Sequence, residues 1–474
     1  MAFAVIGHGQ SVVQYGSVPA YPYPISFLQP DQTQLTLTLK GDQDVNWAVS
    51  EDQFTLIRNK LTGGWEYAIL NESGDMISSN ILSHNAQERS YQEIALCKRL
   101  TKGIKYSKSQ MDIMRKESFI PNNNRPAPKA KSTFKMLVIL VNFSNTTTTY
   151  TQTNFDNYMN QTGYNFQTAT GSVKDYYLVS SYNQMTIEAT VLNWVTVANT
   201  HDYYGPQSNW PVLARDAVNA ANTANASLDF SQFDNDGDGE IDAIAFFHQG
   251  PGQEATSNTN DVWSHTGSIY NYNLVFDGVR ASTYTMQPEK LSTSTSMITV
   301  GVMIHELGHN LGLPDLYDTD YSSNAIGDWD VMAGGSWLNS GKTPPAQNCW
   351  SKFQLGWLTP TTLSTPGTYT LNNTLTNTMV YRVNTNTTNE YFLFENRQKT
   401  AGTWDYRLPG HGMLIYHIDG SYINSHWSAN TVNDDETHQG VDIEEADGTL
   451  TTNNGGDTGD PFPGTGNKTS FTDA

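Results

Sequence analysis

The segment Val302-Met-Ile-His305-Glu306-Leu-Gly-His309-Asn-Leu-Gly312 constrains this chain more than any other. Val302, Met303, Ile304, Leu307 and Leu311 are apolar, so a helix built from it belongs in a core. Two imidazoles and a carboxylate would then be buried, which is costly unless they are paired or hold a metal. His305 and His309 stand at i and i+4 and share one helix face, so both rings can point at one ion. Zinc accepts neutral imidazole and, in catalytic sites, keeps one position for water. Glu306, beside the first ligand, can take a proton from that water. The bland alternative is a solvated helix carrying H-E-x-x-H by chance, which suits these apolar flanks poorly. The segment predicts a zinc-dependent hydrolase with Glu306 as its general base.

The chain has 474 residues, enough for several domains. Leu35–Leu39 alternates with period two and reads as a strand. Phe54–Ile57 and Trp65–Ile69 read likewise across the turn signal Gly63-Gly64. Residues 88–117 carry mixed charge at helical spacing. Pro121–Lys131 holds three prolines among polar residues and reads as an exposed linker, open to proteolytic nicking. Met136–Val141 is a continuous apolar run, as expected of a strand buried on both faces. Helices are predicted over 153–181 in pieces, over 210–226 and over 297–311, and strands over Met185–Val197 and Ile241–Phe247. After residue 360 the pattern is β: Thr368–Leu371, Met379–Val383, Glu390–Glu395 and Gly412–Ile418.

Acidic side chains number 47 and basic ones 26, a formal charge of −21. That argues against a nucleic-acid partner, since phosphate binding needs clustered Lys and Arg. No run approaches eighteen apolar residues, so no membrane span is expected. Cys97 and Cys349 make no disulfide framework, and spacing leaves open whether they pair. The start, MAFAVIGHGQ, lacks a basic n-region and is not expected to be a complete signal peptide. The tail beyond about 448 is rich in Gly, Thr, Asn and Asp, and the last domain is expected to be cut short.

An acidic chain also suits calcium, which takes carboxylate oxygens. Asp234, Asp236 and Asp238 stand at positions 1, 3 and 5 of an EF-hand-type loop, with Gly239 at position 6. Glu240 would offer its carbonyl and Asp242 falls at position 9. Position 12 is Ala245, so the expectation is a shortened structural calcium loop. The alternative is a polar turn using Asp and Gly for their conformations.

Gly312 permits a sharp chain reversal after the helix. By spacing, Asp315 is the first choice for the third zinc ligand, with Asp318 and Glu395 as rivals; the alternatives are a helix-exit turn acid for Asp315 and a partner of Arg397 or Arg407 for Glu395. The extended pattern H-E-x-x-H-x-x-G-x-x-D resembles the metzincins, and Met332 in Asp328-Trp-Asp-Val-Met-Ala-Gly-Gly fits their turn methionine. More narrowly, about residues 130–450 resemble the M6 family, the immune inhibitor A-like metallopeptidases. The matching pieces are His305–Asp318, Asp330–Trp337, the Asp-rich loop, Asp261–His265, Glu395–Gln398 and Gly410–Asp419. This resemblance implies a secreted, broad-acting bacterial endopeptidase of proteins and peptides, made as a zymogen. Residues 1–125 would be its propeptide, 126–132 a linker, 133–360 the catalytic core and 361–474 a β-rich C-terminal part. The expected fold is α+β, a twisted mixed sheet backed by helices, with β structure before and after. A monomer is expected.

His265, His411 and His417 read as satisfied core or surface residues, though Tyr416 and His417 are candidates for contacts to the oxyanion of peptide hydrolysis. Cys97 is read as a buried free cysteine, ahead of a thiolate that blocks zinc. Two rival functions stay open: a calcium-stabilised surface adhesin on an inactive protease scaffold, and a metallohydrolase of a non-peptide bond.

Overall fold

The computed structural model describes residues 18–118, 132–293 and 296–472. The linker expected within 121–131 lies outside them, as does the start of the chain.

Ser132–Asn142 is an inner strand of a mixed sheet, and its sequence explains its place. Met136, Val138 and Leu140 pack into one buried cluster, and Leu137, Ile139 and Val141 into another on the opposite face. Ile244–Pro251 lies parallel to it on one side and Met185–Val191 parallel on the other. Thr283–Lys290 continues the sheet in parallel, and His265–Ser268 closes the edge antiparallel. Helix Trp210–Ala224 covers one face through Leu213, Ala214, Ala217, Val218 and Ala221. Helices Gln152–Asn160, Val173–Ser180 and Val300–Asn310 cover the other. The last of these carries the H-E-x-x-H residues and is buried at every position except His309, whose side chain is 5% exposed. It starts at Val300 rather than 297, because a bridge between Lys290 and Met297 keeps the preceding residues extended. Hydroxyls of Tyr158 and Tyr177 donate to the carbonyls of Thr299 and Ile304, at 3.1 and 2.7 Å.

A six-stranded antiparallel meander runs from Ile25 to Leu82. Leu35, Leu37 and Leu39 point inward in alternation, and join the cluster around Trp210. Helices Tyr91–Cys97 and Lys108–Ser118 follow. This N-terminal region grips the rest of the chain at several points. The Trp263 and Trp337 indoles donate to the carbonyls of Val18 and Pro19, at 3.0 and 2.9 Å. Asp42 accepts from Arg115 and from the Tyr321 hydroxyl, each at 3.1 Å, and Trp47 packs edge-on against Tyr321. Both cysteines are free, and burial raises the Cys97 thiol pKa, away from a thiolate.

The C-terminal sheet holds Thr361–Thr362, Tyr381–Asn384, Glu390–Arg397, Gly412–Asp419 and Val441–Ile443. The strand expected at Thr368–Leu371 is absent, and that stretch is irregular. Its alternation has no face to bury: residues 368–370 are all exposed. With its several sheets and helices, the α+β fold suits a peptidase domain. Among the described residues no helix is long and apolar enough to cross a membrane.

Gly301 shows how tightly the His-bearing helix is seated. A β-carbon there would fall inside van der Waals contact with the Ser336 carbonyl oxygen, a backbone atom that cannot swing away. Alanine would gain about 1 kcal/mol of helix propensity, but overpacking costs about 1–3 kcal/mol or more. Gly301→Ala is therefore expected to lower the urea midpoint, with the slope unchanged; a midpoint at or above wild type would show that the helix can shift.

Candidate metal centre

His305 and His309 fall on one face of the helix because they are four residues apart. Each ring is fixed from behind: Nδ1 of His305 meets the Val331 carbonyl and Nδ1 of His309 the Leu313 carbonyl, both at 2.8 Å. A carbonyl only accepts, so each Nδ1 carries the proton and each Nε2 turns a lone pair inward. The two Nε2 atoms stand 3.2 Å apart. Asp315 Oδ1 lies 3.1 Å from the first and 3.3 Å from the second. Three lone-pair donors thus face one point, all essentially out of water.

That arrangement calls for positive charge at its centre. Burial alone would lower the His305 pKa, but Asp315 beside it outweighs this and lifts it to about 9. Burial would raise Asp315, yet the two imidazoles hold it well below the usual carboxylate range. A tetrahedral ion with ligands at about 2.0–2.2 Å sets neighbouring donors roughly 3.3–3.6 Å apart. The observed separations lie close to that, and two imidazoles with one carboxylate form a zinc-type donor set. The residues present fit the metal.

Glu306 is fully buried, and Thr266 on the edge strand donates its hydroxyl to Oε2. Oε1 has no hydrogen-bond partner among the described residues. Burial raises the Glu306 pKa, opposed by His309 and His305. Met332 lies under the helix, where a β-carbon at Gly308 would collide with its sulfur. Its neighbour Asp330 accepts from the backbone of Met332 at 2.7 Å and of Asn348 at 2.5 Å, which shapes the turn presenting Val331 to His305.

The rival ligands are engaged elsewhere. Asp318 accepts from Asp320, Ser322 and Ser323 in the next turn of chain. Glu395 accepts from Tyr416 at 2.8 Å, Thr374 at 2.9 Å and Arg397 at 3.3 Å in the C-terminal sheet. The Tyr416 hydroxyl is therefore committed to Glu395, and His417 pairs with Glu390 at 2.8 Å. The expected role of this pair in contacting an oxyanion is not favoured by these partners. His265 is buried, stacked on Trp210 and bonded to the Trp263 carbonyl at 2.7 Å. Thr266 and Asn430 were not foreseen from sequence. Asn430 meets Asp315 on both sides, accepting from its backbone N–H at 2.9 Å and donating to Oδ2 at 2.5 Å. Neither carries a local signal, because both act across long stretches of chain.

In the Asp-rich loop, Asp234, Asp236 and Asp242 bring carboxylate oxygens within 4.8 Å of one another. Asp234 also accepts from the backbone of Gly237, Asp238 and Gly239, at 2.7, 3.1 and 3.0 Å. Asp238 instead accepts from the Glu240 N–H at 2.8 Å, and its carboxylate stands outside the convergent group.

Residues 126–358 match the model of the immune inhibitor A peptidase M6 catalytic domain. Immune inhibitor A of Bacillus thuringiensis subsp. alesti is 34% identical over 213 residues, covering 36% of this chain and 30% of that protein. The pre-pro-metalloprotease PrtV of Vibrio cholerae serotype O1 is 29% identical over 219 residues, covering 38% of this chain and 23% of that protein. The matched stretch thus spans less than a third of either relative's length. The matched residues, about half of the chain, hold the buried His-His-Asp cluster, and together these findings support an M6 family metallopeptidase.

Proposed function

We propose that this chain is a secreted zinc endopeptidase of protein substrates, with His305, His309 and Asp315 as the metal ligands and Glu306 as the general base. The observation that carries the reading is the convergence of three fixed donors at 3.1–3.3 Å. When bound, zinc supplies a Lewis acid that polarises a carbonyl and brings the pKa of water towards neutrality. The chain's own residues do the rest. Thr266 holds Glu306 by Oε2, which leaves Oε1 to accept a proton from the attacking water. The carboxylic acid so formed gives that proton to the departing amine. A buried carboxyl with a raised pKa suits both halves of the transfer.

Met332 acts as the turn methionine under the site, a role its contact with the helix at Gly308 supports. Asp234, Asp236 and Asp242, with Asp238 and Glu240 beside them, form a structural calcium loop; clustered carboxylates repel without a cation. Residues 1–125 act as a propeptide, 126–132 as the linker cut on activation, 133–360 as the catalytic core, and 361–474 as its β-rich C-terminal part. The grip of Asp42, Trp47 and Arg115 on the chain around Tyr321, six residues past Asp315, supports latency of the uncut form.

The test is elemental analysis with casein cleavage, on the chain nicked between Pro121 and Lys131. About one zinc and one calcium per chain are expected, with cleavage lost to a zinc chelator and regained on adding zinc. Cleavage that survives complete removal of zinc would sink the proposal.

A further inference from the structure

The third donor is held by a part of the chain far from the helix. Asp315 sits in a loop with no strand or helix to fix it. Its carboxylate must present one particular oxygen to two imidazoles, and a free aspartate side chain rotates readily. Residues 430–434, about 115 positions downstream, grip this loop along its length. Asn430 takes both the N–H and Oδ2 of Asp315, at 2.9 and 2.5 Å, which leaves Oδ1 facing the histidines. Asn433 donates to the Leu316 carbonyl at 3.0 Å. Asp434 accepts from the Thr319 N–H at 2.8 Å and from its hydroxyl at 2.7 Å. Asn430 and Asn433 are buried, so water does not compete for these bonds.

The clasp is itself shaped for the task. Asn430 ends the short helical turn Trp427–Ala429 in a left-handed conformation, φ 55°. Asparagine tolerates that region better than most side chains. Asn433 is pinned from the other side by Val441, with which it exchanges two bonds of 3.0 Å. The clasp is thus tied to the C-terminal sheet, at Val441–Ile443.

We infer that Asn430 is a positioning residue for zinc, and that the metal centre is complete only with a C-terminal clasp lying beyond the matched catalytic-domain residues 126–358. This rests on the zinc reading proposed above. Outer-shell partners of metal ligands typically change affinity by about 10–100-fold when removed. Loss of the Asn430 amide frees Asp315 to turn Oδ2 or neither oxygen towards the rings.

The experiment is zinc affinity by competition with a chromogenic chelator, on the full chain. Asn430→Gly keeps the left-handed backbone without strain and removes only the amide. It is expected to bind zinc about 10–100-fold more weakly, with the melting temperature of the metal-free chain little changed. Wild-type affinity in Asn430→Gly would overturn the inference while leaving the zinc reading intact. Failure of the wild-type chain to bind zinc would instead sink the zinc reading. If Asn430→Gly does not fold, a crystal structure of the zinc-loaded wild type decides. Asp315 ligating through Oδ1, with Asn430 on Oδ2, supports the clasp; ligation through Oδ2 with Asn430 turned away overturns it.

Discussion

Glu306→Gln is expected to reduce kcat for cleavage of casein by about 10²–10⁴-fold while the chain keeps about one zinc. Glutamine is nearly isosteric with glutamate, so it leaves no cavity in a site that is fully buried. Its amide oxygen can still accept from Thr266, so the side chain stays in place. What disappears is the basic oxygen at Oε1, the one without a partner. The proposed ligands His305, His309 and Asp315 are untouched, so metal content should not move. The pairing of results matters more than either alone. Cleavage near the wild-type rate would remove Glu306 from the chemistry. Lost cleavage together with lost zinc would mean that Glu306 supports the metal site rather than the proton transfer.

Much of the scaffold could be read from the sequence, for reasons visible in particular residues. Met136–Val141 is apolar without interruption because both its faces are covered, and Leu35–Leu39 alternates because only one face is. His305 and His309 could be paired because a helix fixes the geometry of residues four apart. Thr368–Leu371 has the same alternation as Leu35–Leu39 but lies exposed, and no strand forms. Pattern alone does not say whether a partner face exists. Thr266 and Asn430 show the other limit. Thr266 reaches the site through one side-chain bond across 40 residues and Asn430 through two across 115, and no periodicity records such contacts. Glu395 is legible in part: its strand and a pairing with Arg397 follow from the sequence, but the Tyr416 hydroxyl, 21 residues away, does not.

That network makes the third ligand open to a decisive comparison. Asp315→Ala removes a donor 3.1 and 3.3 Å from the two imidazoles, and zinc affinity should fall by more than the roughly 10–100-fold of an outer-shell change. Asp318→Asn should leave zinc in place, since among the described residues its carboxylate bonds to neighbouring backbone and Ser322. Glu395→Gln should also keep zinc, yet damage the fold. Arg397 is completely buried and held by Asp405 at 2.6 and 2.8 Å, with Glu395 as its second anion. Breaking a buried pair costs about 3–5 kcal/mol when a charge is left uncompensated, and Asp405 should reduce that. The three variants thus separate metal from stability: one loses zinc, one loses little, one loses stability with zinc retained. Zinc lost in Glu395→Gln at a temperature where the chain is still folded would move the third ligand into the C-terminal sheet. The grip of Asn430 on Asp315 would then have no bearing on zinc.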